Sequence, residues 1–127
     1  MNWFANADLL IEQHQYDKAY ILFDSIIDVY PESSLGDEIM LKKAYSNQLQ
    51  GKWNDAISNL EELLKYYKND ILADDAIFQL GDIYENHLLN NDKAAEYYRT
   101  ILFDFKGSLY TEEARKRYQN LRGSTTP

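Results

Sequence analysis

The chain repeats itself, and the period of that repetition leaves few folds open to it. Three segments superimpose without gaps: YDKAYILFDSIIDVYPES from Tyr16, WNDAISNLEELLKYYKND from Trp53 and NDKAAEYYRTILFDFKGS from Asn91. Equivalent positions follow at 37 and then 38 residues, giving Ala19, Ala56 and Ala94, then Phe23, Leu60 and Tyr98, then Ile26, Leu63 and Ile101. In the middle copy the apolar side chains fall at 53, 56, 57, 60, 63, 64 and 67, which is helical spacing with no alternation. A second element, SSLGDEIMLKKA, DILADDAIFQLG and SLYTEEARKRYQ, recurs between these helices at the same offsets. A reiterated unit of this length is one supersecondary hairpin that buries its apolar face only against its neighbours.

The reading is therefore all-α, with seven helices expected near 2–13, 16–30, 35–49, 53–67, 72–88, 91–105 and 109–121. Repeats are expected at about 1–34, 35–71 and 72–108, within one domain covering 1–121, and 122–127 as a disordered tail. Pro31 is expected to end the second helix, because it supplies no N–H and clashes with the preceding turn. Each second element opens with Ser or Asp, whose side-chain oxygen suits the free N–H groups of a first turn. Each also carries adjacent acids, Asp37–Glu38, Asp74–Asp75 and Glu112–Glu113. Recurrence at three helix starts points to the positive end of the helix dipole rather than to a metal or an acid–base pair.

The last helix, with Tyr110, Ala114, Tyr118 and Leu121 on one stripe and Arg115, Lys116 and Arg122 elsewhere, reads as a cap over the final repeat. The first helix has no counterpart before it. This leads to the expectations of a longer parent array and of self-association, as a homo-oligomer, through the N-terminal face.

Chemistry has little to work with. There is no cysteine, no HExxH, no EF-hand loop and no GxxxxGK[ST] or GxGxxG stretch. The two histidines, His14 and His87, lie in separate turns about two repeats apart, where neither has a nucleophile to serve. No catalytic residue, cofactor or metal is expected. The net charge of −8 opposes binding to nucleic acid or anionic lipid, although residues 106–127 carry five basic and two acidic side chains. No run of about 18 apolar residues offers a membrane span, so direct membrane insertion is not expected.

At the level of individual residues the copies resemble tetratricopeptide repeats. Trp3, Ala7, Ala19, Phe23 and Pro31 match that pattern in the first copy. Ala44, Gly51, Ala56 and Leu60 match it in the second, and Gly81, Tyr84, Ala94 and Tyr98 in the third. The pairs Ala7 with Ala19, Ala44 with Ala56 and Gly81 with Ala94 are the small residues that let paired helices approach. Asn6, Lys43 and Asn47 depart from the pattern, standing where larger apolar groups are wanted. Leu41, Tyr45 and Leu49 offer an alternative apolar line at spacing four. The period above 34 and the segment Tyr30-Pro31-Glu32-Ser33 resemble the bacterial-envelope branch of the family.

The resemblance implies a right-handed superhelical α-solenoid of three helix hairpins plus the C-terminal capping helix. It further implies a non-catalytic scaffold that presents a concave groove to a peptide or helix of a partner protein. Carried over position by position, the groove residues are Phe4, Asp8 and Ile11, then Leu41, Tyr45 and Gln48, then Phe78, Asp82 and Glu85. Phe4 and Asp8 stand where relatives that grip a C-terminal carboxylate have Lys and Asn, so that ligand is not expected. The alternative is a structural spacer or self-associating module whose apolar positions touch only neighbouring repeats. The resemblance favours a periplasmic parent protein and leaves the cytoplasm open.

Overall fold

The computed structural model of the chain describes residues 3–29, 36–67 and 72–123. Every regular element among the described residues is a helix: α1 (Trp3–Glu12), α2 (Tyr16–Val29), α3 (Gly36–Leu49), α4 (Trp53–Tyr67), α5 (Ala73–Asn86), α6 (Asn91–Asp104) and α7 (Thr111–Gly123). These are the seven helices the periodicity predicts, each displaced by no more than two residues at either end. Arg122 and Gly123 belong to α7 rather than to a tail, while 124–127, Pro31, Asp70 and the Tyr30–Ser33 segment lie outside the described residues.

The chain divides into two compact units, 1–59 and 60–127. In the first, α1 packs on α2 and α2 on α3; in the second, α5 packs on α6 and α6 on α7. The small-residue positions are sealed: Ala7, Ala19, Ala44, Ala56 and Ala94 have no exposed surface. Gly81 is buried at the same crossing and has a further neighbour. A Cβ built there would lie 2.6 Å from the Tyr98 ring, so the glycine accommodates that buried aromatic. The first two copies hold Ala with Phe23 and Ala with Leu60 at these positions, whereas the third holds Gly with the larger Tyr98.

The hairpin turns obey one rule. His14 (φ 60°), Gly51 (φ 72°) and Leu89 (φ 53°) occupy the same place in successive copies, and each takes the left-handed conformation that reverses the chain. Glycine does this freely, while a Cβ raises the energy by about 1–2 kcal/mol. The extra residue of the third copy is absorbed in this turn. Leu88 N–H donates to the Ile83 carbonyl, Asn90 N–H donates to the Tyr84 carbonyl, and the Asn90 side chain accepts from Lys93 N–H to start α6.

At the start of α3, Asp37 accepts the N–H of Glu38 (2.7 Å); at the start of α5, Asp74 accepts that of Asp75 (2.9 Å). Both pairs lie in a first turn, where the dipole favours them. Leu72, at the N-cap of α5, makes no side-chain cap bond. Ser108 accepts from Tyr110 N–H and donates to Asp74, tying the approach to α7 back to α5.

Candidate functional site

The expected groove positions fall into two different environments. In the first unit, α3 buries polar and apolar side chains together. Its buried set includes Lys43, Ser46 and Asn47 beside Ile39, Met40 and Ala44. Tyr45 is 54% and Leu49 48% exposed, with Leu41 and Gln48 half-buried. At 3.6 residues per turn, Tyr45 and Asn47 point to opposite sides. The apolar line at spacing four therefore does not rotate inward to fill the core; it stays on the surface, and the polar residues go in.

Those polar residues are satisfied. Asn47 Nδ2 donates to Asn59 Oδ1 (2.7 Å), Asn59 Nδ2 donates to the Tyr20 hydroxyl (3.2 Å), and Lys43 Nζ pairs with Asp24 while lying 4.6 Å from the Tyr20 ring centre. Asp8 on α1 accepts Lys42 Nζ from α3 at 2.8 and 3.0 Å. Ile11 is only 4% exposed and belongs to the core, a correction to its place in the groove: one turn after the sealed Ala7, it lies on the same inward side of α1. The Phe4 side chain lies outside the described residues.

In the second unit the three expected positions are already engaged, and one residue engages them all. Arg117 of α7 donates to Asp82 (2.7 Å) and to Glu113 (3.0 Å), lies 3.8 Å from Glu85 and sits 4.9 Å above the Phe78 ring. Phe78 also stacks on Tyr110, with ring centres 4.7 Å apart. The Tyr98 hydroxyl donates to Glu85 (2.7 Å) and accepts from Arg117 (3.1 Å).

Burial pushes the Tyr98 phenol well above its ordinary range; Arg117 opposes the rise and Glu85 adds to it. Burial would lower the Arg117 pKa, but its bonds to Tyr98, Asp82 and Glu113 outweigh burial and fix the guanidinium as a cation. Phe78, Asp82 and Glu85 are thus the seat of the last helix.

In the sequence Arg117 is only one of the five basic side chains of residues 106–127. Its signal was periodic: Lys42 and Arg117 are equivalent positions, as are Asp8 and Asp82, and the pairs span 34 and 35 residues. Two other basic side chains of α7 also find partners within the helix, Arg115 with Glu112 and Arg122 with the Tyr118 hydroxyl. His14 Nδ1 meets the Tyr16 hydroxyl at 2.8 Å, and His87 closes α5. Among the described residues no group of three or more metal-ligating side chains forms, and no helix is long and apolar enough to cross a membrane.

Comparison with known proteins agrees with this architecture. The tetratricopeptide-repeat profile matches residues 38–70 and 75–105, together just over half of the chain. The outer membrane protein assembly factor BamD of Xylella fastidiosa strain 9a5c is 25% identical over 140 residues, covering 87% of this chain and 48% of the relative. Its counterpart in strain Temecula1 is 25% identical over the same length, with 87% and 47% covered. The chain spans about half the length of the curated relatives it matches. With helical hairpins recurring at the expected period, small residues sealed at the hairpin crossings and this profile match, the chain belongs to the tetratricopeptide-repeat family.

Proposed function

We propose that the chain is a non-catalytic protein–protein interaction module, seating an apolar helix or extended segment of a partner protein on the outer face of α3. The observation that carries this is that α3 leaves Tyr45 and Leu49 outside while polar side chains go in. A helix that exposes Tyr45 and Leu49 while burying Lys43 and Asn47 gives up folding free energy, and an aromatic presented beside aliphatic side chains is a typical anchor for a partner. The family match and the likeness to an outer membrane assembly factor support a scaffold role in the bacterial envelope.

Phe78, Asp82 and Glu85 favour the spacer reading for their own repeat, since Arg117 already occupies them. The groove proposed here is accordingly shorter than the family pattern implies and centres on Leu41, Tyr45 and Gln48.

The test is site-specific photo-crosslinking from position 45 in the protein in its native cell, with position 103 on α6 as control. A discrete adduct with a second protein from position 45, lost when Leu41 and Leu49 are both changed to Asp and helicity is retained, supports the groove. An adduct only with a second copy of the chain would replace it with the self-association reading. No adduct at 45 beyond that at 103 would leave the spacer.

A further inference from the structure

The polar interior of the second repeat opens onto a cleft, and that cleft has a chemistry of its own. It lies within residues 16–59, between α2 and the start of α4, and encloses about 500 Å³. This is within the range of sites that take a side chain or small ligand, roughly 300–1,000 Å³. Asn47 and Asn59 form its floor, bonded to one another and, through Asn59, to Tyr20.

The same register in the neighbouring copies is not polar in this way. The third copy has Leu80, Tyr84 and Tyr97 where the second has Lys43, Asn47 and Asn59, and the two tyrosine rings stack with centres 5.8 Å apart. The first copy has Asn6, Leu10 and Leu22. Packing therefore does not require amides at these places. Burying them costs free energy that a tyrosine pair would not cost. Departures of this kind concentrate where a fold does something other than fold.

The walls indicate the ligand. Asp17 on α2 and Asp55 on α4 line the cleft against a single lining lysine, Lys52, while Asp24 beside them is already paired with Lys43. The excess of carboxylates favours cations and repels phosphates. Tyr16 and Tyr20 add aromatic surface, and the Tyr20 ring already carries the Lys43 ammonium at 4.6 Å. Carboxylates beside phenol rings match a guanidinium, which is planar, stacks on aromatic faces and forks onto carboxylate oxygens. We propose that the cleft between α2 and α4 binds an arginine side chain presented by a partner peptide. This surface is distinct from the outward face of α3, because Asn47 and Tyr45 point to opposite sides of that helix, so either site can fail without the other.

The experiment is a ¹⁵N–¹H NMR titration of the chain with acetyl-Gly-Arg-Gly-amide, run beside the Lys and Gln analogues at fixed ionic strength. The expected result is saturable shifts of the Asn47 and Asn59 side-chain amides with the arginine peptide, a weaker response to lysine and none to glutamine. The double variant Asp17→Asn, Asp55→Asn alters two exposed side chains and should weaken arginine binding by roughly tenfold or more, the loss expected for hydrogen bonds to charged groups. An equal response to the glutamine peptide, shifts spread over the acidic surface that persist in the double variant, or no saturable shift would each overturn the proposal.

Discussion

Replacing Arg117 with methionine keeps the apolar stem against Phe78 and removes only the charge, so it isolates what the guanidinium contributes. The side chain is 25% exposed, and its partner Asp82 is 33% exposed, which places the ion pair between a surface pair and a buried one. A surface pair stabilises by about 0.2–1 kcal/mol, and the upper end applies here. The cation over Phe78 adds about 0.5–1 kcal/mol. Leaving Asp82 and Glu85 half-buried without their cation costs about 1 kcal/mol more.

Arg117→Met should therefore destabilise the protein by about 2–3 kcal/mol. Arg115→Met, which breaks a pair whose members are 46% and 88% exposed, should cost about 0.5 kcal/mol or less. Urea melts followed by circular dichroism give both values, and hydrogen exchange should show the excess concentrated in α7. Equal losses for the two variants, or an Arg117→Met effect spread evenly over the chain, would refute the reasoning that one guanidinium holds the last helix in place.

Four further outcomes follow from the same contacts. Gly81→Ala gains helix propensity of about 1 kcal/mol, yet its Cβ would sit 2.6 Å from the sealed Tyr98 ring; a net loss of about 1–2 kcal/mol in a urea melt is expected. Leu89→Gly relieves a left-handed leucine that is 78% exposed and should stabilise by about 0.5–1 kcal/mol, whereas Gly51→Leu at the equivalent turn should destabilise by a similar amount. Asn59→Leu strands the Asn47 amide and should cost about 1–3 kcal/mol, while the double change Asn47→Leu, Asn59→Leu should recover most of that, as a double-mutant cycle would show. The Tyr97 phenol is pushed up to about 12, by burial first and then by Glu61; its contribution is complete below the ordinary value near 10 and is lost as the pH rises toward 12, so Tyr97→Phe should flatten the alkaline fall in stability over that window.

How much of this was legible beforehand depends on which forces act locally. Helix positions follow from apolar spacing and turn residues, and the reading of 53–67 for α4 coincides with Trp53–Tyr67. The sealed alanines were legible because three copies repeat them. Side-chain orientation was harder to read where a helix lacks a clear apolar stripe. In α3, Leu41, Tyr45 and Leu49 compete for the interior with Ala44 and Ile39, and the hydrogen bond between Asn47 and Asn59, residues twelve apart, settles which face turns in. Ile11 was misplaced for a related reason: family registration fixes a position to within a turn, while burial depends on the helix packed against it. Arg117 was overlooked because a basic residue on a terminal helix resembles a solvated face until its partner, 35 residues earlier, is brought alongside.

The most direct measurement is a set of side-chain nuclear Overhauser effects in the isotopically labelled protein. The account requires contacts from the Gly81 α-protons to the Tyr98 ring, from the Phe78 ring to the Tyr110 ring and from Asn47 to the Asn59 amide, with helical carbon shifts across α1 to α7. Strand-like shifts in any of the repeated segments, or a Tyr98 ring remote from Gly81, would contradict the claim that one hairpin design, reiterated at 37 and 38 residues, builds this protein.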